Sequence, residues 1–401
     1  MFMLRLLATV LTGACLTIQS SQAFLSEGPN GPLVIRQGGT YSGTFISTDA
    51  SRPCVRILTR EPVLLRNSYL KGSGHLIEAA PGAWLTVENC YGKGMLTQIP
   101  ETARGHFLVA EGARMLRIEH CTMEQTTGIY VLRWGGEGTP EETLTVRYNR
   151  SRNIDGRYWN GGRTRASWLS LDKVWHVPGI EIAWNQVINE PDSSLVEDNI
   201  NFFNSSGTPE KPIRVHNNYI QGAYPYPATS KEYSGSGIMM DGHGTTAETT
   251  TAYVQAYGNQ VINTCNAGMS IAAGHDIRYF RNRVVHSARL PDGRYLPSTF
   301  AGLAIFNHYN MDSSVFNRHS IDHNVVGYNN QNYSAPMPGR QDEHRHACAS
   351  CTSQQHLPNP ITLRTEQLEW RLWKRKLRRH QVKVGANLTR PLQPANVLAR
   401  R

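Results

Sequence analysis

Apolar and polar residues alternate along this chain in short bursts, and each burst ends in a small polar residue. The stretch IEIAWNQVIN at 180–189 sets the pattern: apolar-x-apolar-x-x-Asn-x-apolar. Near-copies stand at 213–222 (IRVHNNYIQG) and 254–263 (VQAYGNQVIN). Aligned on its sixth position, the phrase fits at Asn67, Cys90, Cys121, Asn149, Asn185, Asn218, Asn259, Asn282 and Asn324, at intervals of 23 to 42 residues. Alternation rich in Ile and Val predicts a half-buried strand. Recurrence in this range of periods marks a repeat architecture, and the uneven spacing predicts loops of variable length between fixed turns. Asn suits the bend, because it tolerates a left-handed backbone and its amide closes a turn. Stacked amides also bond to the coils above and below. Cys90 and Cys121 fill the same slot and are small enough to face inward.

A second phrase falls between the Asn phrases. It reads TGIYVLRW (127–134), SGIMMDGHG (236–244), AGMSIAAGHD (267–276) and AGLAIFNHY (301–309). Each places a glycine just before a short apolar strand, so each coil has at least two strands and a Gly-led corner.

Short strands, an inward Asn at the bend and irregular coils resemble the right-handed parallel β-helix of the pectin-lyase-like superfamily, over roughly residues 35–335. The resemblance implies an all-β solenoid with long inserted loops. It does not imply one activity, since that superfamily holds polysaccharide lyases, glycoside hydrolases, epimerases, tailspikes and non-catalytic adhesins. Gly242-His243-Gly244 is similar to the Gly-His-Gly of polygalacturonases. The Asp-Asp, Asn-Thr-Asp and Arg-Ile-Lys partners of that motif are missing here.

The ends differ from the body. Residues 1–23 read as a secretory signal: a basic residue at Arg5, an apolar run from Leu6 to Ile18, and SQA ending at Ala23. This predicts a secreted or periplasmic protein, with the β-helix over 24–335. Residues 336–360 read as a linker, rich in Pro, Gln, His and Ser. Within it, Cys348 and Cys351, near His344, His346 and His356, read as a local disulfide or an idle segment; a zinc site would want a second Cys pair. Residues 361–401 form a basic helical tail. It carries 11 Lys or Arg against Glu366 and Glu369, so nearly all of the chain's formal +10 sits there. The body is close to neutral and has no nucleic-acid footprint. The tail helix, 365–381, suits contact with anionic lipid or acidic glycan, or capping of the solenoid's open end. A monomer is expected.

If the Gly-led strands occupy equivalent coil positions, the residues after them line up on the surface. The candidate catalytic residues are then His243, His275, Asp241, Asp276 and His308, with Lys231 on the 222–236 loop. Arg133, Trp134, Tyr233 and Tyr309 are candidates for substrate binding. A uronate lyase needs a base beside the substrate carboxylate, a cation that neutralises it, and an acid for the leaving oxygen. His243, His275 or Lys231 fits the base, and Tyr233 or Tyr309 the acid. Arg133, or calcium held by Asp241 and Asp276, fits the neutraliser. Trp159, Trp168 and Trp175 add rings suited to a sugar groove. The identity of any metal is unknown, and the histidine line lacks a short zinc motif. The sequence thus predicts a protein acting on an extracellular polysaccharide by lyase-like cleavage of a uronate glycan, with a non-catalytic glycan-binding or adhesion protein as the alternative.

Overall fold

A computed structural model describes residues 30–232, 235–244, 246–297, 300–330, 339–345, 348 and 351–388. The expected signal segment and Tyr233 lie outside them. Three long sheets run through the described residues, with eleven, ten and twelve strands; they pair in parallel and in chain order except at the end of the third, where Gly339–Arg340 pairs antiparallel and Gln355–His356 pairs beside the same strand. We call them sheets A, B and C. Each coil gives one strand to each sheet, so a coil has three strands, one more than the minimum read from sequence. One coil runs Ser167–Asp172 (A), Glu181–Ala183 (B) and Gln186–Ile188 (C); the next runs Asp198–Phe203, Ile213–His216 and Tyr219–Ala223. This is a parallel β-helix, of the right-handed sense that parallel crossovers take.

The alternation fixes the core. Inward positions stack in register from coil to coil: Leu169, Ile200, Ile238, Met269 and Leu303 on sheet A, and Ile182, Val215 and Ala256 on sheet B. All are buried. The Gly-led corner has a steric cause. A Cβ on Gly268 would stand 2.4 Å from the Gly302 carbonyl oxygen and 2.3 Å from Val284. Successive coils approach too closely there for any side chain.

The Asn phrase builds a continuous buried ladder. The Asn218 side-chain amide donates to the Ile182 carbonyl (2.9 Å) and to Asn259 Oδ1 (2.9 Å). Its own Oδ1 accepts from the backbone N–H and the amide of Asn185 (3.0 and 2.9 Å). The same links join Asn149, Asn185, Asn218, Asn259, Asn282 and Asn324, and Gln354 Oε1 ends the series. Cys90 and Cys121 sit inward in the same slot. Asn67 does not. It is exposed and left-handed, opposite Asn89, and buried Ser68 takes the ladder position. The bend itself is made by the left-handed residue before each ladder residue, among them Asn89, His120, Tyr148, Trp184 and Asn217. Asn218→Ala is expected to cost about 1–3 kcal/mol, since it strands buried donors and acceptors on two neighbouring coils. Urea unfolding should show a lower midpoint at unchanged slope.

The stretch read as a linker adds strands instead. Glu343–Arg345 pairs onto sheet A, Thr352 bridges to Asp322 of sheet B, and Gln355–His356 pairs onto sheet C. These short strands are polar, half-buried in the first and exposed in the last, which hid them from a hydrophobic pattern. Cys348 and Cys351 form a disulfide within this coil. The tail helix, Leu363–Arg379, lies lengthwise on sheet C and does not cover an open end. Among the described residues no helix is long and apolar enough to cross a membrane.

Candidate active site

Sheet A carries the candidate site on its outer face. In-register pairing places Asp172, Phe203 and Asp241 in one row across three coils, and Tyr130, Ser170 and Asn201 in the row beside it. Outward positions of otherwise apolar strands are thus polar over several coils. Together with the residues after the strand Leu303–Ile305, they line an open cleft of about 380 Å³ and an adjoining pocket that His243 and Tyr309 share.

The centre is a pair of carboxyl groups on one amide. Asn201 Nδ2 donates to Asp198 Oδ2 at 3.1 Å and to Asp241 Oδ2 at 3.3 Å. Asp198 starts its strand and is buried. Burial, then the negative charges of Asp241 and Glu197, push its carboxyl up to about 7. It therefore holds its proton up to about neutral pH. Asp241 Oδ1 accepts from the Gly242 N–H (2.9 Å) and from the Tyr309 hydroxyl. Tyr309 reaches it from two coils further on. Burial first, then that hydrogen bond and the Asp241 charge, raise the Tyr309 hydroxyl above its ordinary value, so it keeps its proton. The His243 ring lies against Phe203 (centroids 5.1 Å) and Tyr309 (6.3 Å). His308 stands edge-on to Tyr309 at 4.9 Å and is exposed. Arg165 lines the cleft with its guanidinium largely in solvent, 3.8 Å from Glu197.

Toward the N-terminal coils the cleft continues along a stack of rings, His75, His106 and Tyr130, with centroids 5.2 and 5.6 Å apart. Burial pushes His106 down to about 3, so that ring is neutral. The Tyr130 hydroxyl donates to Asp172 Oδ2 at 2.9 Å.

The structure brings together Asp241, His243, His308 and Tyr309 from the sequence-derived set. It places the others elsewhere. His275 is buried at the start of a sheet B strand, in register with Ala252, not with His243. Its Nδ1 meets Asp276 Oδ2 (2.7 Å) and its Nε2 meets the Ala247 carbonyl (2.9 Å), while Arg318 also pairs with Asp276. Gly274, at φ +92°, turns the chain out of sheet A just before His275, where the sheet B strand His275–Phe280 begins. Asp241 and Asp276 therefore do not share a calcium site, and the described residues hold no cluster of three or more metal-ligating side chains. Arg133 is exposed, paired with Glu111 at 2.8 Å and three coils from Asp241. Trp134 packs against the core, and Lys231 is on an exposed loop. Asp198, Asn201, Asp172, Tyr130, His106 and Arg165 are additions. The signal for Asp172, Tyr130 and Asn201 was a polar residue at an outward position of an apolar strand, as Asn201 is in DNINFF at 198–203; Asp198, His106 and Arg165 carry no such signal.

No described protein family matches the chain, and no curated protein matches it significantly in sequence. Among solved structures it is similar to a mutant form of the periplasmic alginate epimerase AlgG. Identity is 10%, over 75% of this chain and 77% of that one, with a TM-score of 0.36. It is also similar to a mannuronic acid specific polysaccharide family 6 lyase from human gut microbiota. Identity there is 13%, over 89% of this chain and 96% of that one, with a TM-score of 0.31. Likeness at this level carries nothing about the chemistry, which rests on the residues described above.

Proposed function

We propose that the protein acts on an extracellular polysaccharide, cleaving a uronate-containing glycan by β-elimination in the sheet A cleft. The observation that supports this most is the convergence of His243, Tyr309 and Asp241 beside the proton-bearing Asp198. In this reading His243 takes the proton next to the sugar carboxylate. Tyr309, which keeps its proton, gives it to the leaving glycosidic oxygen. Arg165 faces the substrate carboxylate, and neutral Asp198 donates a hydrogen bond to it without adding negative charge. Asn201 holds both acids in place. The extracellular setting rests on the N-terminal segment.

One observation favours a second reading. Asp198 and Asp241 on a single amide are a close carboxyl pair, the pair of groups that glycoside hydrolysis uses. Elimination leaves an unsaturated ring that absorbs in the ultraviolet, whereas hydrolysis leaves only new reducing ends. The test incubates the protein with a panel of uronate and neutral polysaccharides, with and without calcium, and follows both signals. Ultraviolet product on a uronate polymer is the expected result. Reducing ends alone would replace elimination by hydrolysis. Binding with neither signal would leave a non-catalytic glycan-binding protein.

A further inference from the structure

The tail helix sorts its charges by face. Both of its acidic residues, Glu366 and Glu369, are turned inward and buried, as is Trp373. Glu369 holds Arg283 through both carboxylate oxygens (2.7 and 2.8 Å) and accepts from Gln260 (2.8 Å). Glu366 accepts from the Ser287 N–H (2.6 Å) and from Asn263 (2.8 Å). Lys376 also turns in, donating to the Gly258 carbonyl at 2.7 Å. What remains outside is cationic: Lys374, which lies over the Trp370 ring, and a row of arginines. Arg364, Arg371, Arg375, Arg378 and Arg379 are exposed, fall on the face opposite the buried residues at helical spacing, and make no ion pair among the described residues. At 1.5 Å per residue the row is about 22 Å long. No acidic side chain of the helix interrupts it.

We propose that this row is a docking surface for a polyanionic polysaccharide, separate from the cleft. A bilayer is the weaker occupant, because the apolar face that would enter lipid is already spent on the solenoid. Trp373 packs with Tyr219, Ile262 and Val285, and Trp370 and Leu377 flank that cluster. Only Leu368 and Leu372 stay exposed among the arginines. Such a face does not insert, since interfacial helices need their apolar side in the membrane. Guanidinium groups match carboxylate and sulfate oxygens two at a time, which a straight cationic row offers repeatedly to an extended polymer. The helix lies on sheet C and the cleft on sheet A, so one chain of glycan held at the row leaves the cleft open.

The test measures retention of the full-length protein on immobilised polygalacturonate and on dextran sulfate, and its flotation with phosphatidylglycerol vesicles. Wild type is expected to bind the glycans and to be released by salt, because screening weakens exposed charge pairs. The fourfold variant Arg364→Gln, Arg371→Gln, Arg375→Gln, Arg379→Gln is expected to lose about tenfold or more in affinity, with melting unchanged because these side chains are exposed. Arg375→Gln alone should lose part of it. Tyr309→Phe should keep the affinity of wild type. Undiminished binding by the fourfold variant overturns the proposal. So does affinity that falls with Tyr309→Phe but not with the arginine changes, which would put binding in the cleft. Flotation with vesicles in the absence of glycan binding overturns it in favour of a membrane contact.

Discussion

Tyr309→Phe is expected to lower turnover on a uronate polysaccharide by about 100-fold or more, the usual scale for losing a general acid or base, while the fold stays intact. The hydroxyl is the only part removed, and the ring keeps its contacts with His243 and His308. His243→Ala should fall by a similar factor, because the proposed base is lost from an exposed position that the core does not need. His275→Ala should behave differently. Its ring is buried between Asp276 and the Ala247 carbonyl, so its loss should lower the melting temperature more than turnover. Asp198 adds a pH dependence. Below about 7 its carboxyl holds a proton, and under the proposed elimination it meets the substrate carboxylate as a neutral donor. Above that it ionises beside Asp241 and repels the substrate, so turnover should decline on the alkaline side. Asp198→Asn keeps a neutral donor at every pH and should flatten that limb. Full turnover by Tyr309→Phe, measured from initial rates of product absorbance, would sink the assignment.

The fold was legible because its repeat is enforced at every coil. The Asn ladder from Asn149 to Asn324 cannot lose a member without orphaning two neighbours, so the sequence keeps writing it. The register slipped by one residue at Asn67 because the left-handed position before the ladder also favours Asn, as Asn89 and Asn217 show. The site was legible only where one sheet carries it. Asp241 and His243 follow directly from a sheet A strand, and Tyr309 from an equivalent one, so alignment of Gly-led phrases brought them together. The same alignment failed for His275, since the sheet B strand His275–Phe280 begins there, whereas a loop of fourteen residues separates the equally short strand Leu303–Ile305 from its sheet B strand at Ser320. Asp198 gave no signal in the sequence. Its role depends on what lies one coil away, and burial beside Asp241 cannot be seen in the letters DNINFF.

Removal of residues 361–401 is expected to destabilise the solenoid, because the tail helix is part of its packing. Without it Tyr219, Ile262 and Val285 lose the cover of Trp373. Trp373→Ala alone should cost about 3–5 kcal/mol, the range for deleting a buried tryptophan. The polar anchors add to this. Glu369→Ala would leave Arg283 without its bidentate partner. Breaking a buried pair costs about 3–5 kcal/mol, and Arg283 is partly exposed, so the lower end applies. Glu366 gives the docking a pH dependence of known sign. Burial outweighs its hydrogen bonds from Asn263 and Ser287 and raises its carboxyl from 4.5 to about 7. Between those values the folded protein binds more protons than the unfolded one, so stability falls as pH rises through the window. That contribution is complete below the lower value and gone above the upper one. Glu366→Gln, neutral at every pH, should remove this slope while keeping an acceptor for Ser287. Thermal unfolding of the chain ending at Pro360 checks the larger claim. The strands of the solenoid should survive at low temperature, with a transition well below that of the full chain. An unchanged melting temperature would mean that the helix rests on sheet C without stabilising it.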